Sequence, residues 1–343
     1  MRNETSFTAN VCFVSGIIPR RTGSIYKDPY DGSELIAEEE GLRNTGSGKV
    51  YPIVKNIPRF VNTEGYASSF GVQWMRFQRT QLDSYNGSNI SISRLYRCLN
   101  GHLDSVKGKL ILEAGSGAGR FTEILLSSGA IVHSFDLSSA VEANYSNNGH
   151  NEALSLAQAD IRHLPYRKES YDYVVCLGVL QHTPSPEDAI FYLYEMLKPG
   201  GILVFDHYIF KLRNVLPPPI GVSSNLYRWV ILLLPQSKRF NVVVAIVKFF
   251  FPFHWVFRNS IFIQRVLRRI SPLIFYFGTF NLKSKEEYFN WSLLDTHDCL
   301  TDFYKHHRSV NQIRRYHSTL GAEGISVKEG GNGLEAFCQR GRG

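Results

Sequence analysis

The chain has 343 residues, 43% of them hydrophobic and 20% charged. That is enough apolar material for one large or two modest domains, and it excludes a disordered or low-complexity protein. Cys12, Cys98, Cys176, Cys299 and Cys338 stand far apart, so neither a disulfide framework nor a cysteine-rich zinc site is expected, and no metal is. Met1–Ser6 lacks the apolar core of a signal peptide, and reduced thiols fit a cytoplasmic protein. The net charge of +8 is unevenly placed: from His207 to Lys285 there is no Asp or Glu, but there are twelve Lys or Arg.

In chain order, residues 1–62 carry short β-like pieces and turns. Residues 63–108 look helical. There Trp74 and Phe77 fit a core stripe, or else Gln73, Trp74 and Arg76 belong to a lid. Between 109 and 207 apolar strands alternate with helix patterns, which predicts parallel strands with helices on both faces. A basic, aromatic insert covers 208–300. The remainder, 301–343, reads as a helix near 309–320 and two strands, 324–328 and 334–339. Gly330-Gly331-Asn332-Gly333 is the turn between those strands.

The sharpest local feature is Ile111-Leu112-Glu113-Ala114-Gly115-Ser116-Gly117-Ala118-Gly119-Arg120. An apolar strand ends in an acid, then glycine falls at 115, 117 and 119 before a helix begins. Such a turn lets a ligand approach bare backbone at the positive end of a helix. Alone it is weak evidence, since many nucleotide folds use one. A second strand, Ala130–Phe135, ends in Asp136, an acid placed to accept from ribose hydroxyls. Asp160-Ile161 follows a third apolar segment, Leu177-Gly178 follows a fourth, and Leu197-Lys198-Pro199-Gly200-Gly201 leads into a fifth strand.

As a set, these motifs over residues 109–207 resemble the class I S-adenosylmethionine (SAM) methyltransferases of the small-molecule type. The resemblance implies an α/β fold: a Rossmann-like, doubly wound, mostly parallel sheet with a terminal antiparallel hairpin and a helical lid insert. It also implies SAM as cofactor. Glu113, Gly115, Ser116, Gly117 and Gly119 would hold the methionine end. Asp136 would hold the ribose, Asp160 and Ile161 would flank the adenine, Leu177 and Gly178 would line the methyl pocket, and Leu137 would belong to the same cofactor site. Asp160 has a second reading as the cap of a short turn. Val50–Phe60 resembles the end of a zinc-ribbon-like module found before some methyltransferase domains. Its cysteine pairs are missing, so residues 1–62 are expected to be a degenerate, structural version.

Methyl transfer needs alignment of nucleophile, methyl and sulfur, and a base only where the acceptor must lose a proton. His182, just after the fourth strand, is the first candidate, and His207 with Tyr208 the second. His182 also reads as a backbone-bonded cap. The expected acceptor is an O, N or C atom of a small metabolite, a saccharide or a lipid-linked precursor. The rivals are a non-catalytic SAM-binding scaffold and a nicotinamide-dependent oxidoreductase.

The insert has three readings: a protein-buried lid, contact with an anionic membrane at the inner face, or recognition of an anionic substrate. Its longest apolar run, Val242–Phe257, is broken by Lys248, Pro252 and His254 and falls short of a membrane span. Nucleic acid is disfavoured because the basic region is so apolar. The oligomeric state is not legible.

Overall fold

The computed structural model describes residues 25–61 and 65–342. Four short strands come first: β1 (Leu35–Glu38), β2 (Gly41–Asn44), β3 (Val50–Val54) and β4 (Ile57–Pro58), forming a small antiparallel sheet. Cys12 lies outside the described residues. This sheet closes an edge of the main one. The Phe60 N–H donates to Gln158 O at 2.9 Å, the Tyr26 hydroxyl donates to Leu156 O, and Arg59 reaches both Gln158 and Glu142. An edge strand so covered offers no free ladder for pairing with other chains.

The main sheet has seven strands: β5 (Leu110–Ala114), β6 (Ile131–Asp136), β7 (Leu154–Gln158), β8 (Tyr171–Cys176), β9 (Leu197–His207), β10 (Ala322–Gly330) and β11 (Gly333–Arg340). Their order across the sheet is β10-β11-β9-β8-β5-β6-β7. The five central strands pair in parallel, and β11 runs antiparallel to both β9 and β10. This is the doubly wound α/β sheet with the terminal hairpin that the sequence predicts. The chain leaves β5 towards β6 and β7, then returns across it to β8 and β9. The crevice at the carboxyl ends of β5 and β8 is thus the switch point where such sheets bind ligands.

Strand parity explains the burial. On β5, Leu112 and Ala114 face one core cluster and Ile111 faces the other. On β8, Val174 and Cys176 join the first cluster, and Tyr173 and Val175 the second. Both faces are covered, so these strands read as continuous apolar runs. Each fully buried Leu, Ile, Val or Phe stabilises the sheet by roughly 1.5–3 kcal/mol.

The insert after β9 is helical, with its main helices at Ser223–Leu232, Gln236–Val256, Ile261–Ile270 and Lys285–Thr301. Its own core joins Val243, Val247 and Phe251 to Tyr288 and Trp291. The apolar run expected to fall short of a membrane span lies within a longer helix of 21 residues, Gln236–Val256, which continues through Lys248, Pro252 and His254. That helix is long and apolar enough to cross a membrane by length and composition. The polar interruption is absorbed because His254 turns inward, its Nδ1 2.8 Å from Gln264 Oε1, while the Gln264 amide donates to His254 O.

Candidate active site

Gly115 and Gly117 take positive φ values of 72° and 52°, which the loop needs to reverse tightly from β5. A Cβ on Gly117 would meet the Trp74 indole at 3.0 Å, so that ring lies directly over bare backbone. The Gly115 and Ser116 N–H groups donate to Phe135 O, and the Gly117 N–H donates to Asp136 Oδ2 at 2.9 Å. The other carboxylate oxygen of Asp136 accepts from both the backbone and the hydroxyl of Ser138, at 2.8 Å each. Burial pushes the Asp136 carboxyl up, against these stabilising hydrogen bonds.

A cavity of about 960 Å³ opens over this edge. Gly115, Ser116, Gly117, Asp136, Leu137 and Ile161 line one end. Leu177, Gly178 and His182 line the floor beyond. Trp74 and Gln73, from the helix Ser68–Arg76, line the cavity as well.

Four expected site residues stand outside the cavity lining. Glu113 is 2% exposed and sits beneath the loop, accepting from the hydroxyls of Thr122 and Ser134; burial raises its carboxyl to about 7. The Gly119 carbonyl faces Asn148, which donates to it at 3.2 Å. Asp160 closes a tight turn: it accepts from the backbone N–H and the guanidinium of Arg162. His207 is fully buried with Nδ1 3.0 Å from Tyr208 O, and burial pulls its imidazole down to about 4.

His182 sits on a different footing. Its ring packs edge-on against Phe70 and Tyr208. Nδ1 lies 3.2 Å from Tyr304 O and 3.4 Å from Asp302 Oδ2, and Nε2 lies 4.0 Å from Asp298 Oδ1. Burial alone would lower the imidazole; the Asp298 charge and the bond and charge of Asp302 outweigh it and hold His182 above its ordinary 6.5. Asp298 in turn is raised by burial to about 6. Both His182 and Asp298 line the cavity, together with Tyr208, Lys305, Leu294 and Asp295.

Sequence reasoning missed Asp302 and Asp206. Asp295 and Asp298 stand three apart on the helix Lys285–Thr301 and line the cavity, and Asp302 is the residue just past the end of that helix. Asp206 follows the apolar run Ile202–Phe205 as Asp136 follows Ala130–Phe135, and that pattern was the available signal. It accepts from the Gly178 N–H at 2.6 Å and from the Arg94 guanidinium.

Residues 112–205 match the family model described as a methyltransferase domain. The ubiquinone biosynthesis O-methyltransferase of Coxiella burnetii (strain Dugway 5J108-111) is 32% identical over 135 residues, 39% of this chain and 56% of that protein. The protein of the same name from Shewanella sp. (strain ANA-3) is 31% identical over 129 residues, 34% of this chain and 50% of that one. The chain therefore spans about half the length of the relatives it matches. A solved S-adenosylmethionine dependent methyltransferase from Mesorhizobium loti covers 71% of this chain and 97% of its own, at 17% identity and a TM-score of 0.43.

The sequence motifs imply SAM as the cofactor, and the residues present fit it. The Ser116 hydroxyl is buried at the cavity wall with no partner among the described residues, free to meet a polar ligand atom. Asp136 keeps a carboxylate edge on the cavity, and Leu137 and Ile161 offer apolar flanks for a base. Ser116 and Gly117 would hold the methionine end, Asp136 the ribose, and Leu137 with Ile161 the adenine.

Proposed function

We propose that the chain transfers the methyl group of SAM to a small-molecule acceptor, at an O, N or C atom, a hydroxyl oxygen foremost. One observation carries this: a single cavity joins the loop edge at Gly117 and Asp136 to the His182–Asp298 pair. SAM, when bound, supplies a methyl on a cationic sulfonium that departs as a neutral thioether. What the protein must add is alignment and, for a hydroxyl, a place for the proton.

His182 fits that second role. Its Nδ1 is occupied by Tyr304 O and Asp302, which leaves Nε2 as the proton-accepting atom on the side of the cavity-lining Asp298. The Asp302 carboxylate also bonds Arg228, so the orienting group is itself held. The relatives' names specify O-methyl transfer, which agrees with a base at this place. Metabolites, saccharides and lipid-linked precursors all offer such hydroxyls. The small sheet at 35–58 we read as a degenerate zinc-ribbon-like module with a structural role, because residues 25–61 hold no cysteine and cover the β7 edge.

The test is calorimetric titration with SAM and with NAD, followed by release of S-adenosylhomocysteine across phenolic, saccharide and lipid-linked acceptors. SAM binding with turnover is expected. NAD binding in place of SAM would shift the reading to an oxidoreductase, and SAM binding without turnover on any acceptor would shift it to a scaffold.

A further inference from the structure

We propose that the helical insert docks this protein onto an anionic lipid bilayer. Three helices of the insert pack on one another, and each leaves an apolar stripe uncovered. On Gln236–Val256 the stripe is Phe249, Phe253 and Val256, while Val243, Val247 and Phe251 are buried on the other side. On Ile261–Ile270 it is Phe262, Val266 and Ile270, with Phe262 76% exposed. On Ser223–Leu232 it is Leu226, Trp229 and Val230, continued by Leu233 at 86%. Single exposed apolar residues are ordinary; three stripes at helical spacing on adjoining helices mark an interaction surface.

Charge selects the occupant. Lys211 and Arg228 are ion-paired, with Glu329 and Asp302. Lys238, Lys248, Arg265, Arg268 and Arg269 make no ion pair among the described residues, and no acid occurs between 207 and 285 to offer one locally. A second copy meeting this face by its own face would set cations against cations. Phospholipid head groups supply the opposite charge, and the boundary beneath them takes Trp and Phe side chains. The start of the insert also lines the cavity, through Lys211, Arg213 and Val222, and Phe210, Leu212 and Ile220 beside them in sequence are exposed. Entry of an amphiphilic acceptor by this route rests on the methyl-transfer reading; the docking itself does not.

Vesicle sedimentation tests the docking without any turnover. The full chain is expected to sediment with phosphatidylglycerol-containing vesicles, to ignore pure phosphatidylcholine, and to be released by high salt. Arg265→Gln/Arg268→Gln/Arg269→Gln should lower the partition coefficient on the order of 100-fold, from about 5-fold per cation near the surface. Phe249→Ser/Phe253→Ser should lower it as well, with circular dichroism and SAM affinity unchanged in both variants. Partition equal to wild type in both variants, or no binding to either vesicle, would overturn the proposal. So would retention after a carbonate wash, which would mean a spanning helix. A dimer lost on the Phe249→Ser/Phe253→Ser change, with no vesicle binding, would assign the stripes to a second copy.

Discussion

The Gly117 N–H donates to Asp136 Oδ2 at 2.9 Å, and that bond ties the loop after β5 to the tip of β6. Asp136 therefore has two duties: it shapes the loop and it presents a carboxylate to the cavity. Asp136→Asn keeps an oxygen for Gly117 but loses the charge offered to ribose hydroxyls. A charged hydrogen bond contributes about 1.5–3 kcal/mol, so SAM affinity should fall roughly 10- to 100-fold with little change in thermal stability. Isothermal calorimetry with a melting curve checks this; unchanged affinity would remove Asp136 from the site.

The loop, Asp136 and the sheet order were legible because they are local. Glycine spacing fixes a turn, and an acid closing an apolar run marks a strand tip. Side-chain direction was not legible at single positions. Glu113 stands one residue before the end of β5 and Asp136 at the end of β6, and the Glu113 carboxylate is held by Thr122 and Ser134 beneath the loop, outside the cavity lining. For Asp160 the ion pair with Arg162, two residues on, was likewise not legible from the pattern. The partners of His182 lie more than a hundred residues further along, on a helix that only the tertiary fold brings to β8.

His182→Gln should leave SAM binding intact and lower kcat by 100-fold or more, the usual worth of a positioned general base. The free enzyme should show kcat/KM rising with pH on a limb centred above 6.5, because His182 must shed its proton before it can accept one. Asp298→Asn removes the negative charge that raises His182, so the limb should move to lower pH. The limb belongs to the cluster as a unit, and its movement in Asp298→Asn is the decisive reading. An unmoved limb would detach Asp298 from His182.

Glu113 gives a stability effect with a defined sign. Its carboxyl stands at about 7 in the folded chain against an ordinary 4.5. The folded state thus holds the proton more tightly, and the stabilisation this represents is complete below pH 4.5 and lost as pH rises through 7. Above that, the buried charge costs roughly 3 kcal/mol relative to the protonated group. Glu113→Gln mimics the protonated form, so it should melt close to wild type at pH 5 and several degrees higher at pH 8. Equal differences at the two pH values would show that Glu113 does not titrate on unfolding.

Arg94 and Asp206 form the remaining buried pair beside the cavity, and Asp206 also accepts from the Gly178 N–H. The carboxylate is fully buried and the guanidinium nearly so. Removing one partner leaves the other charge without compensation, which typically costs 3–5 kcal/mol, about as much as many domains have to spare. Asp206→Asn should therefore lower the melting temperature sharply. Arg94→Met/Asp206→Asn removes both charges, and its loss should be smaller than that of Asp206→Asn alone, although the Gly178 N–H keeps only a neutral acceptor. Thermal melts of the two variants beside Arg94→Met complete the cycle. If the double variant instead melted at the sum of the two single losses, the pair would not be coupled and Asp206 would act through Gly178 alone.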